Sequence, residues 1–477
     1  MSAENLDPAD WDAFRSQAHA MLDDMLNFTQ HIRERPVWQV IPPDIRASFR
    51  EPLPAEPADL TQIHERFMRD ILPYSAGNAH PGFMGWVNGG GTPVGMLAEM
   101  LAAGLNTNLG GRDQIPVEVE RQLALWVRDI FGFPQGASGL HVTGTSMANF
   151  IAVLIARTAR LGLTVRQTGL AEAGAKLVGY TSSAAHLCIA KAMDMSGLGS
   201  DALRIIPVNR DGEMDLDALQ STIARDRAAG LTPFFLAGTA GTVDIGAIDD
   251  LAGLADIARD ESLWFHVDGA FGALAMLSPE LAPLLSGIER ADSIAFDFHK
   301  WGQVPYDAGY ILVRDGAAHQ STFDFPAAYL RRETRGLAAG SPWPCDLGPD
   351  LSRGFRALKT WVTLQSFGTQ KLGKMIRQSC AVAQYLKHRI EQEPQLELMA
   401  PVALNIVCFR FRSEDADAIN RRIAIALQES GIVAPSTTLV DGALAIRAAI
   451  VNHRTGFSEM DALVTATLAF GAKLIDA

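Results

Sequence analysis

The strongest constraint on the fold is an alternation of strand-like and helix-like segments from about Gly139 to about Val313. Two of the strand-like segments are short and apolar: one leads into Asp268, and the other runs from Ser293 to Phe296. Alternation of this kind predicts a largely parallel sheet with helices on both faces. Because open sheets bind ligands beyond the carboxyl ends of their strands, we expect the functional residues in those loops.

One of these strands is followed by a residue that suits an aldehyde cofactor. Lys300 lies in the sequence Asp-Phe-His-Lys-Trp, where aromatic neighbours limit hydration and disfavour its ammonium form. A neutral amine is the form that makes a Schiff base with an aldehyde. Taken alone, a lysine after an edge strand is most often a surface residue.

Asp268 ends the other strand, and a buried carboxylate requires a partner. A pyridinium nitrogen would serve as that partner. Small residues after Asp268, which include Ala270, would let a flat ring approach the backbone. Asp268 and Lys300 therefore predict the two ends of a pyridoxal phosphate site, where the acid keeps the ring nitrogen protonated and the lysine holds the aldehyde.

The motifs around these two residues resemble those of the group II pyridoxal-phosphate-dependent amino-acid decarboxylases. His-Val-Asp-Gly-Ala-Phe-Gly, which contains Asp268, and Asp-Phe-His-Lys-Trp, which contains Lys300, carry the resemblance. The family includes the aromatic L-amino-acid, tyrosine, histidine and glutamate decarboxylases. Similar motifs follow one another in the same order from about His80 to about Thr455.

The resemblance implies the α/β architecture of fold type I, which is aspartate-aminotransferase-like. It implies a helical arm that clasps a partner subunit at residues 1–78, a large cofactor-binding domain with a mostly parallel seven-stranded sheet at 79–365, and a small α/β domain at 366–477. An amphipathic helix predicted over Asp10–Arg33 fits the arm, and the proline-rich segment Pro36–Pro57 predicts an extended connector. The resemblance also implies a homodimer with active sites at the subunit interface.

Thr145 and Ser146 follow a strand and a tight turn, at the start of a predicted helix. Backbone N–H groups and the helix dipole favour an anion there. The resemblance assigns these positions to the cofactor phosphate, although the same residues alone could simply cap a helix. His186, in a helix predicted to begin at about residue 183, matches the family histidine that stacks on the cofactor ring.

Loops after two other strands supply the remaining predicted cofactor contacts. Thr242 follows the predicted strand Phe234–Gly238 and is expected beside the ring. His299 is expected to bond the phosphate or to orient the substrate carboxylate. Asp297 stands where some family members have asparagine, and its charge would repel a phosphate unless backbone or hydroxyl donors hold it.

Three residues are candidates for contacts with the substrate. Phe83 and Trp86 lie in His-Pro-Gly-Phe-Met-Gly-Trp, which resembles the family's substrate wall, and both could instead be ordinary core residues. Arg447 is the one charge in a predicted strand over Ala443–Ala449, and it could bind a substrate carboxylate because burying an arginine without an anion is costly. The first motif favours an aromatic amino acid, whereas Arg447 and the segment Pro93–Asn108 leave an acidic one open.

The long connection Gly316–Asp350 matches the family's active-site lid. Aromatic members carry a tyrosine well inside that lid, which returns a proton to the substrate carbon. Here Tyr329 lies near the start of the lid, and only Trp343 lies further along. The proton donor is therefore open, and with it the product.

Decarboxylation of an L-amino acid to its amine and CO₂ is the predicted reaction, with Lys300, His186 and Asp268 as catalytic residues. Three alternatives remain open. Oxygen could intercept the substrate carbanion and give an aldehyde, ammonia and peroxide. The enzyme could be a carbon–carbon lyase that uses the same cofactor and acts on a phosphorylated amine. A non-catalytic cofactor-binding protein is the third alternative, and the complete set of cofactor residues disfavours it.

The amino-acid composition limits the classes of partner and the cellular compartment that we expect. The net charge of −13 argues against nucleic acid or an anionic membrane as a partner. The four cysteines are scattered without CxxC or zinc spacing, so they predict no metal site and favour a reduced, cytoplasmic setting. The acidic N-terminal segment lacks the apolar core of a signal peptide, and no apolar run reaches membrane-spanning length.

Overall fold

The computed structural model describes residues 5–325, 327 and 330–476. Its α-helices are α1 (Trp11–Gln30), α2 (Pro43–Ser48), α3 (Leu60–Arg66), α4 (Pro93–Leu105), α5 (Ile115–Ile130), α6 (Thr145–Leu161), α7 (Val165–Thr168), α8 (Leu170–Ala173), α9 (Cys188–Met195), α10 (Leu216–Ala228), α11 (Leu251–Asp260), α12 (Gly316–Phe323), α13 (Arg356–Glu391), α14 (Ala416–Glu429) and α15 (Phe457–Ile475). Its strands are β1 (Phe83–Met84), β2 (Ser138–Val142), β3 (Leu177–Ser182), β4 (Leu203–Ile206), β5 (Thr232–Thr239), β6 (Trp264–Asp268), β7 (Ser293–Asp297), β8 (Gly309–Val313), β9 (Leu396–Leu398), β10 (Ile406–Phe411), β11 (Ala434–Val440) and β12 (Ala443–Ala449).

The larger sheet has seven strands in the order β2-β8-β7-β6-β5-β3-β4. Strand β8 pairs antiparallel with both of its neighbours, and the pairings from β7 through to β4 are parallel. Strands β7 and β8 are buried along their whole length, as expected where helices cover both faces of a sheet. The mostly parallel seven-stranded sheet is therefore confirmed, and the carboxyl ends of β5, β6 and β7 meet at one edge.

The smaller sheet has five strands in the order β1-β11-β12-β10-β9. The strand predicted over Ala443–Ala449 is confirmed as β12. Strand β1 comes from the other half of the chain, and its Phe83 pairs in parallel with Ala434 of β11. Helix α13 connects the two sheets and is interrupted at Gly368, whose φ of 68° lies in the left-handed region.

The helix predicted over Asp10–Arg33 is confirmed as α1. Asp10 caps it, because its carboxylate accepts hydrogen bonds from the backbone N–H groups of Asp12 and Ala13. The helix packs against α3, yet none of its residues is buried. In the described ranges, no helix combines the length and the hydropathy needed to cross a bilayer.

The prediction of an extended connector over Pro36–Pro57 is wrong in its middle, where α2 forms. Pro43 occupies the first helical position, where a missing N–H costs nothing and the fixed φ of proline suits a helix. Asp44 follows in the first turn, where the helix dipole favours a negative charge. Pro43 therefore marks the start of a helix and does not belong to an extended segment.

Candidate active site

A cavity of about 400 Å³ lies at the carboxyl edge of the larger sheet. Its walls are formed by the loops that follow β2, β3, β5, β6 and β7 and by the segment between β1 and α4. This is the edge at which the parallel topology predicted a ligand site. Of the residues singled out from the sequence as site residues, the cavity wall contains Trp86, Thr145, Ser146, His186, Asp268, Ala270, His299 and Lys300.

Lys300 lies in the turn that follows β7, and its partner is Asp297 at the end of that strand. The Lys300 Nζ atom is 3.0 Å from Asp297 Oδ2, and the lysine side chain is 21% exposed. Asp297 Oδ1 accepts a hydrogen bond from the backbone N–H of Thr145 at 2.7 Å. The expectation that backbone donors hold Asp297 is confirmed. The aromatic residues beside Lys300 gave no indication of its ion pair with Asp297.

The N-terminus of α6 and His299 form one end of the cavity. The Thr145 hydroxyl oxygen is buried and has no hydrogen-bond partner among the described residues. His299 Nδ1 accepts a hydrogen bond from the backbone N–H of Ala308 at 3.0 Å, so the ring proton lies on Nε2, 3.5 Å from Asp297 Oδ2. Burial lowers the pKa of His299, and the nearby carboxylate of Asp297 opposes that shift. An anionic group with several oxygen atoms fits these donors.

Asp268 forms the floor of the cavity at the end of β6 and is 3% exposed. Its Oδ2 accepts a hydrogen bond from Asn149 Nδ2 at 3.1 Å, and its Oδ1 accepts one from the backbone N–H of Ala270 at 3.2 Å. Burial raises the pKa of the Asp268 carboxyl, and the Lys300 charge and the Asn149 hydrogen bond oppose that shift. Its lone pairs outnumber these contacts, so a protonated ring nitrogen fits as a further donor.

His186 lies in the loop between β3 and α9 and not within a helix. The prediction that a helix begins at about residue 183 is therefore wrong, because α9 begins at Cys188. The His186 Nδ1 atom accepts a hydrogen bond from the backbone N–H of Cys188 at 3.2 Å. That contact fixes the ring at the first turn of α9 and leaves its Nε2 atom for other contacts.

Thr242 is not brought to the cavity wall. It is fully buried in the loop after β5, where its hydroxyl oxygen accepts a hydrogen bond from the backbone N–H of Ala247 at 3.0 Å. Thr239, Gly241 and Val243 of the same loop line the cavity instead. The loop was correctly located from the sequence, but Thr242 serves to hold its shape.

Phe83 and Trp86 lie in different environments, although their ring centroids are only 6.2 Å apart. Phe83 is 4% exposed and packs with Val37 and Ala434. Trp86 is 62% exposed and lies in the cavity wall. Phe83 therefore fits the alternative of a core residue, and Trp86 remains a candidate for substrate contact.

Arg447 is buried in β12, and its guanidinium group binds backbone carbonyl groups from two other segments. It donates to the carbonyl oxygens of Trp86 at 3.1 Å and Asp244 at 3.1 Å, and to that of Val243. It also donates to the Ser436 hydroxyl at 3.2 Å. Neutral carbonyl groups thus satisfy the arginine, which removes the argument that its burial requires a substrate carboxylate.

Tyr306 and Asn88 were missed from the sequence and lie in the cavity wall. The Tyr306 hydroxyl donates to Asn88 Oδ1 at 2.9 Å, and its ring lies 4.3 Å from that of His299. Burial and the Asp297 charge raise the pKa of Tyr306, so it is a neutral phenol at pH 7. The only available signal was the position of Tyr306, six residues after Lys300.

In the lid, Tyr329 lies outside the described residues. Trp343 is 1% exposed, and its indole N–H donates to the Ala339 carbonyl within the lid at 2.8 Å. The Arg332 guanidinium of the lid lies 3.5 Å from the centre of the Trp343 ring, and that of Arg112, between α4 and α5, lies 4.5 Å from it. Trp343 thus attaches the lid to the segment between α4 and α5 and is not part of the described cavity wall.

A lysine amine and a buried carboxylate at the ends of neighbouring parallel strands, facing one helix N-terminus, define a pyridoxal phosphate enzyme of fold type I. The residues present fit that cofactor. Asp268 offers an acceptor for its ring nitrogen, Lys300 an amine for its aldehyde, and Thr145 a hydroxyl for its phosphate that has no partner in the described part of the chain.

The model of a family described as "Pyridoxal-dependent decarboxylase conserved domain" matches residues 42–412, and the chain belongs to this family. The chain is 30% identical over 459 residues to the aromatic-L-amino-acid decarboxylase of Bacillus atrophaeus, across 94% of this chain and 93% of that one. It is 28% identical over 467 residues to the phenylacetaldehyde synthase of Arabidopsis thaliana, across 94% of each. The solved structure of Catharanthus roseus tryptophan decarboxylase in complex with L-tryptophan matches with a TM-score of 0.87 at 25% identity, across 98% of this chain and 100% of that one. The protein is thus a decarboxylase that uses pyridoxal phosphate, as the motifs implied.

Proposed function

We propose that the protein decarboxylates an aromatic L-amino acid to its amine and CO₂. The observation that carries this proposal is the exposed face of Trp86 in the cavity wall. An aromatic ring offers a flat apolar surface to an aromatic substrate side chain. The relative from Bacillus atrophaeus, which is named for aromatic L-amino acids, supports the same substrate class.

An acidic substrate suits the described cavity wall less well. A buried side-chain carboxylate needs a cationic partner. Lys300 is the only lysine or arginine among the described residues of the wall, and the cofactor requires it. Arg447, on which the acidic alternative depended, donates to backbone carbonyl groups instead.

The proposed roles of the cofactor residues follow from their positions. When bound, pyridoxal phosphate supplies an electron sink for the bonding electrons that remain on the substrate after CO₂ leaves. Lys300 Nζ would hold the aldehyde carbon, and Asp268 would keep the proton on the ring nitrogen. Thr145, Ser146 and His299 would donate hydrogen bonds to the phosphate.

Two wall residues position the ring in this proposal. His186 would lie against one face of the ring and restrict its tilt. Ala270, whose side chain is a single methyl group, lets the ring lie close to the backbone that follows β6. Loss of CO₂ is favoured when the bond to the carboxylate stands perpendicular to the ring, so a fixed ring orientation selects this reaction.

The same proposal includes a homodimer in the cytoplasm, with residues 1–78 as the arm, 79–365 as the large domain and 366–477 as the small domain. Helix α1 supports the arm, because it buries none of its residues and exposes Trp11 and Phe14 at 56% and 41%. The interruption of α13 at Gly368 supports a boundary there. Sedimentation equilibrium of the purified chain tests the dimer, and a monomer at micromolar concentration would contradict it.

The test of the reaction is a panel of L-amino acids in which CO₂, amine and peroxide are measured together. We expect one amine per CO₂ from an aromatic amino acid, a visible absorbance band from the bound cofactor, and loss of both in Lys300→Ala. Turnover of glutamate or aspartate alone would overturn the proposed substrate class.

Aldehyde formation is the second candidate, and the similarity to the Arabidopsis thaliana phenylacetaldehyde synthase favours including it. In that outcome dioxygen and water convert the decarboxylated substrate to aldehyde, ammonia and hydrogen peroxide. Stoichiometric peroxide with no amine would establish the aldehyde-forming reaction. Cleavage of a phosphorylated amine, with no CO₂ released from any amino acid, would instead point to a carbon–carbon lyase.

A further inference from the structure

Strand β6 carries three side chains with polar groups at alternate positions: Trp264, His266 and Asp268. Alternate residues of a strand share one face, so all three point to the same side of the sheet. His266 stands opposite Ser293 in the register between β6 and β7. Asn149 of α6 reaches the same face and contacts both His266 and Asp268.

These five side chains form one continuous chain of hydrogen bonds. The Trp264 indole N–H donates to Ser293 Oγ at 2.8 Å, and Ser293 Oγ lies 2.8 Å from His266 Nδ1. His266 Nε2 lies 2.8 Å from Asn149 Oδ1, and Asn149 Nδ2 donates to Asp268 Oδ2 at 3.1 Å. His266, Ser293 and Asn149 are fully buried.

The donors in this chain point toward Asp268 when its carboxylate is ionised. An indole N–H can only donate, so Ser293 Oγ accepts from Trp264, and in this arrangement its O–H donates to His266 Nδ1. Neutral His266 then carries its proton on Nε2 and donates to Asn149 Oδ1. Reversing the chain would turn the Asn149 carbonyl oxygen toward the Asp268 carboxylate, where two acceptors would repel.

We propose that Asn149, with His266 and Ser293 behind it, is a positioning residue that keeps the Asp268 carboxylate ionised and oriented for the ring nitrogen of pyridoxal phosphate. Each donor in the chain points toward the carboxylate, which favours its charged form. Removing the Asn149 donor would leave the effect of burial less opposed and so raise the pKa of the Asp268 carboxyl further. A protonated Asp268 would be a poorer acceptor for the N–H of the ring.

The ionisation of the neighbouring groups supports this proposal. Burial lowers the pKa of His266 to about 3, so the imidazole stays neutral at the pH where the enzyme works. Burial raises the pKa of Asp268, and the hydrogen bond from Asn149 is one of the contacts that oppose this rise. The chain therefore acts on a carboxylate that burial makes harder to ionise.

The experiment compares Asn149→Leu, His266→Phe and Ser293→Ala with the wild-type protein. The dissociation constant of pyridoxal phosphate is measured by titrating the cofactor-free protein and following its fluorescence. The absorbance spectrum of the bound cofactor reports the protonation of its ring. We expect Asn149→Leu to weaken binding about 10- to 100-fold, as loss of an outer-shell partner typically does, and to shift the absorbance maximum. Ser293→Ala, which is further from Asp268, should weaken binding about threefold in the same direction.

Ser182→Ala is the matched control. Ser182 is 1% exposed on β3 of the same sheet, and its hydroxyl has no hydrogen-bond partner among the described residues. Ser182→Ala removes a buried serine hydroxyl from the same sheet, as Ser293→Ala does. We expect this control to bind the cofactor within twofold of wild type and to leave the absorbance spectrum unchanged. Thermal unfolding of each variant shows whether it has folded.

The proposal is overturned if folded Asn149→Leu keeps the wild-type affinity and spectrum, or if Ser293→Ala and Ser182→Ala behave alike. Should Asn149→Leu fail to fold, the comparison of Ser293→Ala with Ser182→Ala still tests the proposal. Because these measurements need the cofactor and no substrate, the result is independent of which amino acid the enzyme decarboxylates.

Discussion

At the scale of single residues, Trp86 in the cavity wall has a costly backbone conformation. Trp86 has a φ of 49°, which is uncommon for a bulky side chain and persists only where the surroundings hold it. Arg447 supplies that support through the Trp86 carbonyl, and Ser436 Oγ accepts from the Trp86 backbone N–H at 3.3 Å. The backbone conformation of Trp86 is therefore held by β11 and β12 of the smaller sheet.

Replacing Trp86 tests its role in binding the substrate. Trp86→Ala should raise KM for the aromatic amino acid about tenfold, because an aromatic contact contributes about 0.5–1.5 kcal/mol beyond its buried area. Stability should change little, because most of the side chain is exposed. Steady-state kinetics and thermal unfolding of the same preparations measure the two effects.

Phe83→Leu is the control for that experiment, because Phe83 is buried beside Trp86. It should lower the free energy of unfolding by about 1–2 kcal/mol and leave KM near the wild-type value. If Phe83→Leu raises KM as much as Trp86→Ala does, the distinction between wall and core fails.

The site could be predicted from the sequence wherever its chemistry is local. Lys300 and Asp268 each follow a buried strand within one short motif, and the topology of parallel strands brings the two ends together. The contacts of Arg447 could not be predicted, because its acceptors belong to segments far away in the sequence. The hydrogen-bond chain through His266 had one sign in the sequence, which was the polar groups at alternate positions of the buried strand β6.

At the scale of elements, a buried ion pair joins α5 to the segment that precedes α13. Arg353 donates to Glu120 at 2.6 Å, and it also donates to the carbonyl of His141 in β2 at 2.7 Å. Burial opposes the charge on Glu120, but attraction and hydrogen bonds from Arg353 outweigh it and lower the pKa of the Glu120 carboxyl. Its burial and its ion pair with Arg353 therefore give Glu120 a structural role.

Glu120→Gln should destabilise the protein by about 3–5 kcal/mol, because it leaves the Arg353 charge buried without a counter-charge. Glu118→Gln provides the comparison on the same helix. Glu118 is 55% exposed in its surface pair with Arg121, so its loss should cost less than about 1 kcal/mol. Urea unfolding measures both, and equal effects would show that Arg353 does not depend on Glu120.

At the scale of the whole molecule, buried histidines set the response to acid. Burial lowers the pKa of His141 to about 4, of His266 to about 3 and of His319 to about 4. The unfolded chain binds protons at these groups below about pH 6.5, so their contribution to stability falls as the pH drops from 6.5 toward 4. Burial raises the pKa of Asp249 to about 6, and its contribution runs the other way, being lost as the pH rises through 6.

The three histidines change the free energy of unfolding with pH more than Asp249 does. Between pH 7 and pH 5 each histidine costs about 2 kcal/mol, whereas Asp249 returns about 1 kcal/mol, so the free energy of unfolding should fall. In His319→Gln that fall should shrink by about 2 kcal/mol. His388→Gln is the control, because the His388 side chain is 72% exposed. Urea unfolding at several pH values measures the slopes, and an unchanged slope in His319→Gln would contradict the assignment.

The pairing of Phe83 with Ala434 has a consequence for how the chain is made. During synthesis the first of these residues leaves the ribosome long before its partner, and β1 has to wait for β11 without its neighbour in the sheet. Contacts between residues so distant in sequence form late and slowly. The seven-stranded sheet, whose strands all lie between Ser138 and Val313, can assemble before then. A nascent chain would thus possess Lys300 and Asp268 before it possesses a finished wall at Trp86, and the cofactor pocket would exist earlier than the substrate pocket.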